Sequence, residues 1–73
     1  MTPDDLQWVL RALNRRRPFH PFYIELVSGD RFLVSHPESV VRIRDFFVCR
    51  LPDGGHRVFG SRAVSQLIDS PTS

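Results

Sequence analysis

Phe22-Tyr23-Ile24-Glu25-Leu26-Val27-Ser28-Gly29-Asp30-Arg31-Phe32-Leu33-Val34-Ser35 places two alternating runs on either side of a Ser-Gly-Asp turn signal, the pattern of a β-hairpin. Phe22, Ile24 and Leu26 fall on one face of the first strand, and Phe32 and Val34 on one face of the second. A three-residue loop of Ser28, Gly29 and Asp30 sets Leu26 opposite Phe32 and Ile24 opposite Val34, which brings the bulky residues together. A two-residue Gly29-Asp30 loop pairs Leu26 with Leu33 and turns Phe32 to the other face, so the first register is preferred.

Upstream, Thr2-Pro3-Asp4-Asp5 reads as a helix start, with Thr2 as cap, Pro3 in the first helical position and two carboxylates at the positive end of the dipole. Leu6, Val9, Leu10 and Leu13 recur at helical spacing. The stretch Asn14-Arg15-Arg16-Arg17 followed by Pro18 ends the element, so a helix is predicted over about residues 3–15. Trp8 lies opposite Leu6 and outside the apolar stripe. It is expected at the surface or over the edge of the sheet, or at an interface with another subunit. Pro18-Phe19-His20-Pro21 is an extended connector.

Downstream of the hairpin, His36-Pro37-Glu38-Ser39 breaks the second strand. A short strand is predicted over Val40–Arg44, with Val41 and Ile43 on one face and Arg42 and Arg44 on the other. After an Arg44-Asp45 reversal comes a strand over Phe46–Leu51, with Phe47, Cys49 and Leu51 on one face. Its other face, Phe46, Val48 and Arg50, is also fairly apolar, which suits a strand covered on both sides. Pro52-Asp53-Gly54-Gly55 is a turn, His56–Phe59 a strand, Gly60-Ser61-Arg62 a corner and Val64–Ile68 the last strand. The tail over residues 69–73 reads as frayed. One helix and five or six short strands at close spacing make residues 1–73 a single mainly β domain, expected to be a small, strongly bent antiparallel barrel of Sm-like or SH3-like type with the helix across an open end. Two strand edges, His56–Phe59 and Val64–Ile68, stay available for pairing between subunits, which makes Val58 and Leu67, with Trp8, the interface candidates.

A chain of 73 residues buries only about 60% of the surface its unfolded form exposes. Small domains therefore lean on disulfides, metals or partners. Cys49 is the one cysteine, so no disulfide forms within the chain, and alternation with Phe47 and Leu51 marks it as a buried, inert thiol. His20, His36 and His56 are not spaced as metal ligands. No cofactor motif and no catalytic constellation is present: Gly54-Gly55 does not open a helix as a phosphate loop does. A homo-oligomer is the remaining expectation. With no apolar run of about 18 residues and no signal-peptide pattern, neither a membrane span nor secretion is expected, and a lone cysteine suits a reducing cytoplasm.

All ten basic residues are arginine, against eight acidic ones. The isoelectric point of 9.5 permits nucleic-acid binding. Arg11, Arg15, Arg16 and Arg17 cluster at the end of the helix, where they complement its dipole or contact phosphate. Arg57 and Arg62 flank the last corner next to Phe59. Arginine beside exposed aromatic rings is a phosphate-and-base surface, and the same rings also serve as core.

Three segments carry a family resemblance. Ile24-x-Leu26-x-x-Gly29-x-x-Phe32 resembles the first hairpin of the Sm-like family of small β-barrels, its Hfq-like bacterial branch included. Asp45-Phe46-Phe47-Val48-Cys49-Arg50-Leu51 is similar to that family's Asp-containing turn and apolar third strand. Ala63-Val64-Ser65-Gln66-Leu67-Ile68 is similar to its last strand. The resemblance spans about residues 22–68, behind a helix in the expected place. It implies a non-enzymatic RNA-binding barrel, assembled as a ring through strand edges, with Arg62 near phosphate and Phe47 stacking on a base. Arg57 and the Arg15, Arg16, Arg17 patch add phosphate contacts, and single-stranded RNA is the expected partner. The alternative is a protein-interaction module of the same fold, using Trp8 or an open strand edge. The chain departs from the family pattern where His36-Pro37-Glu38-Ser39 interrupts the second strand, where Ser61-Arg62 replaces Lys-His, and where Phe46-Phe47 replaces Gln-Phe.

Overall fold

The computed structural model describes residues 1–71. Helix α1 spans Pro3–Asn14, and strands β1 to β6 span Phe22–Leu26, Arg31–Val34, Val40–Ile43, Phe46–Arg50, His56–Gly60 and Val64–Asp69. A single 3-10 turn, Ser61–Ala63, joins β5 to β6. The strands form two antiparallel sheets, β2-β1-β6 and β3-β4-β5. The protein is thus mainly β with one N-terminal helix. β5 and β6 are both edge strands of their sheets.

The helix starts as its sequence dictates. Thr2 Oγ1 accepts from the Asp5 backbone N–H at 3.1 Å, Pro3 occupies the first turn, and Asp4 and Asp5 lie at the positive end. Leu6 and Leu10 are buried, and Leu13 packs beside them. Twelve residues form a marginal helix in isolation, so α1 depends on this apolar contact with the sheets. Both sheets and the helix share one core, built on Leu6, Phe22, Ile24, Val34, Phe47 and Cys49.

The hairpin has a three-residue loop, but it consists of Val27, Ser28 and Gly29. Leu26 N–H donates to Asp30 O at 2.7 Å and Gly29 N–H to Leu26 O at 2.9 Å. The ladder pairs Ile24 with Phe32 and Phe22 with Val34, two residues away from the predicted register. The reason is Gly29, whose φ of +96° fits the last loop position of this turn, the left-handed one, and not the middle one. A two-residue shift leaves every side chain on its predicted face.

The His36–Ser39 turn has Pro37 at its second position and Glu38 at its third, with φ +70°. Ser39 N–H and Oγ both donate to His36 O. This is the turn pattern that selects Pro then Gly, and a side chain in the left-handed region is strained. Glu38→Gly is therefore expected to stabilise the chain by about 0.5–1 kcal/mol, the strain relief exceeding the added unfolded-state entropy. Thermal unfolding followed by circular dichroism reads this as a rise in Tm; a fall would show that the Glu38 side chain holds the turn.

Two expectations are corrected. β4 is covered on one face only: Phe47 and Cys49 are buried, whereas Phe46 is 60% exposed. β3 keeps the predicted alternation, with Val41 and Ile43 on the exposed face and Arg42 half-buried on the other. Arg42 is drawn toward the helix, where Nη1 donates to Asp4 Oδ1 at 2.7 Å and Gln7 Oε1 at 2.6 Å. The tail also begins later than predicted. Asp69 pairs with Phe22 in β6, Ser70 N–H donates to Pro21 O at 3.1 Å, and His20 Nε2 lies 3.0 Å from Ser70 O. Residues 72 and 73 of the predicted tail lie outside the described residues.

Candidate functional site

Between the C-terminal half of α1 and the His36–Ser39 turn lies an open groove of about 500 Å³. Its floor is Leu10, Val40 and the edge of Phe47. One wall, the end of α1 and the residues just after it, carries Arg11, Asn14, Arg15 and Arg17, and Glu38 stands on the opposite wall. Arg11 and Arg15 are one helical turn apart and so project on the same side. Among the described residues neither forms an ion pair, and the Arg17 guanidinium contacts only the carbonyl oxygens of Asn14 and Arg16, both at 3.1 Å. Asn14 also lines the groove, and its Oδ1 is buried without a hydrogen-bond partner among the described residues, a cost the fold carries at this spot. The helix C-terminus contributes about half a negative charge, against three full positive charges on the wall.

Other predicted positions are employed elsewhere. Arg16 turns away from the groove: its guanidinium meets Asp69 at 3.0 Å and donates to His20 O at 2.9 Å. The Arg16 hydrogen bond to Asp69, with the positive charge behind it, holds the Asp69 carboxyl below the ordinary range. Arg57 pairs with Asp30 at 3.1 Å and lies over the Phe32 ring, 5.9 Å from its centroid. Its charge thus ties β5 to the β1–β2 turn. Phe47 is 1% exposed and stacks on Phe59 with 5.7 Å between centroids. Its ring is spent in the core and presents no face to a base, which corrects its reading as a stacking residue.

Arg62 is exposed on the 3-10 turn and, among the described residues, forms no ion pair. It borders a shallow hollow with Pro3, Asp45, Gly60 and Ser61. That places it by the start of α1, while Arg15 and Arg17 are at its end, about 18 Å away for twelve residues. Trp8 is 74% and Val58 63% exposed, as interface candidates need to be. Leu67 leans on the core instead.

No known family, curated protein or solved structure matches the chain.

Glu25 is the centre of a polar row on the opposite side of the hairpin. Gln66 Nε2 donates to Oε1 at 2.6 Å and Arg31 to Oε2 at 2.9 Å. The Gln66 bond first, then Arg31, lowers the Glu25 pKa. Among the described residues no group of three His, Cys, Asp or Glu side chains is close enough to hold a metal, and no helix is long and apolar enough to cross a membrane. Sequence reading grouped Arg11 with Arg15 and Arg17 but missed the Asn14 amide and the wall opposite. Those depend on where the 36–39 turn packs, which no local pattern states.

Proposed function

We propose that the chain is a non-enzymatic small barrel of Sm-like type that binds single-stranded RNA, with phosphate held by Arg11, Arg15 and Arg17. The observation that carries this is the groove, in which three arginines that form no ion pair among the described residues stand over an apolar floor. A cationic wall beside an apolar floor suits a nucleotide chain, with the phosphates on the arginines. What supports the Sm-like part is the order of elements: a helix, a bent hairpin, three antiparallel strands, and a 3-10 turn leading a last strand back to the first. A reducing compartment fits the single buried cysteine.

The test is fluorescence anisotropy of a labelled short RNA across a salt series. Wild-type affinity is expected to fall steeply with salt. Arg11→Gln/Arg15→Gln/Arg17→Gln is expected to weaken binding at low salt and flatten the logarithmic salt slope by about 2, the value for three lost single-strand phosphate contacts. Arg31→Gln, which removes the partner of Glu25 on the far side, is expected to leave binding unchanged. Absence of wild-type binding at low salt, or a triple variant that binds like wild type, overturns the reading. The rival reading, a protein-interaction module, has its support on a different surface, the outer face of β3-β4-β5.

A further inference from the structure

That outer face is formed by Val41 and Ile43 of β3, Phe46 and Val48 of β4, and Val58 of β5. The register sets Val41, Val48 and Val58 in one row and Ile43, Phe46 and Gly60 in the next. Val41, Ile43, Phe46 and Val58 are 55%, 57%, 60% and 63% exposed. Together they offer on the order of 400 Å² of apolar surface, a large contiguous patch for so small a chain and of the size that is often functional. No charged residue interrupts it. One end carries the Arg44-Asp45 turn; the other carries Arg50 and His56, paired in the ladder, with Glu38 close by in the same cleft.

We propose that this face is covered by a second copy of the chain, packed face to face about a two-fold axis that lies in the interface across the strands. Three features on the face argue for a second copy. First, a standard interface takes about 800 Å² from each partner, somewhat over half of it apolar, and the patch supplies about that apolar share. Second, this axis lays the two rows on each other in exchange, so Ile43 meets Val41, Phe46 meets Val48, and Val58 meets Gly60. Gly60 carries no side chain and the space above it is open, so the facing Val58 has room to seat. Third, the same axis brings each Arg44-Asp45 end against the Glu38 and Arg50 end of the other copy, opposing Asp45 to Arg50. Asp45 is 83% exposed and its ion pair with Arg42 is loose, at 3.9 Å, and among the described residues Arg50 has no ion-pair partner, so both charges can engage a second copy. An isologous contact of this kind closes on itself and leaves the edges of β5 and β6 out of the interface.

Sedimentation equilibrium over a concentration series tests this on the full chain. A species of twice the 8.5 kDa monomer mass is expected, and Phe46→Asp and Val58→Asp, both at exposed positions, are expected to yield monomers with unchanged far-ultraviolet circular dichroism. Asp45→Arg and Arg50→Asp are each expected to weaken the dimer at low salt, and the double variant to restore it. A wild-type chain that stays monomeric at every concentration overturns the proposal and leaves the face for another protein. A dimer or larger ring that survives Phe46→Asp overturns it in favour of edge pairing through β5 or β6.

Discussion

Phe47→Ala is expected to destabilise the chain by about 3–5 kcal/mol, the cost of deleting a fully buried ring and leaving a cavity. Phe47 is 1% exposed, at the junction of the groove floor and the core, and stacked on Phe59, which in turn contacts Phe32. A domain of 73 residues has about 4–11 kcal/mol in all, so this one change removes a large part of it. Urea unfolding followed by tryptophan fluorescence measures the loss. The result distinguishes two roles for one residue. A ring that stacks on a base would leave stability nearly untouched and weaken RNA binding alone; a core ring does the reverse, with Phe47→Leu recovering part of the loss.

Cys49 is the second place where a large effect is expected. Its thiol is fully buried beside Phe47, and burial pushes its pKa from 9.0 up to about 11. Two units make the thiolate about a hundredfold scarcer than in an unfolded chain at the same mildly alkaline pH, before access is considered. A thiol-specific reagent is therefore expected to leave the native protein unmodified and to label it at once in denaturant. Rapid labelling of the native chain would refute this burial. The same shift fixes a pH dependence. The folded state keeps its proton where the unfolded state has lost it, so this contribution to stability is whole below pH 9 and disappears as pH rises to about 11. Cys49→Ala should lack that component of the alkaline decline.

Much of the fold could be read from local chemistry. Thr2, Pro3 and the Leu6/Leu10 spacing define the helix, and Gly29 and the flanking alternation define the hairpin, because these signals act within a few residues of themselves. The shifted loop shows the limit: Ser-Gly-Asp looks like the turn, yet the left-handed position that Gly29 must fill moves the loop one residue earlier. β3 shows a different one. Alternation placed Val41 and Ile43 together correctly, but which face goes inward is decided by Asp4 and Gln7, some 35 residues upstream, which take up Arg42. The candidate site was legible in the same uneven way. Arg11 and Arg15 follow from helical spacing and Arg17 from the basic run after it, whereas Arg57 and Phe47, read in sequence as phosphate and base contacts, are consumed by Asp30, Phe32 and Phe59 in space.

The pairing of β6 with β1 also governs how the chain reaches this state. The ladders β1–β2, β3–β4 and β4–β5 each join neighbours in sequence through short turns, so they close cheaply. Glu25 and Gln66, bonded to each other, stand 41 residues apart. Most of the loop-closure entropy is thus concentrated in one seam, which has a bulge at Glu25/Leu26. That seam carries the largest closure cost in the fold, since non-local pairing returns its enthalpy only after the intervening loop has been closed.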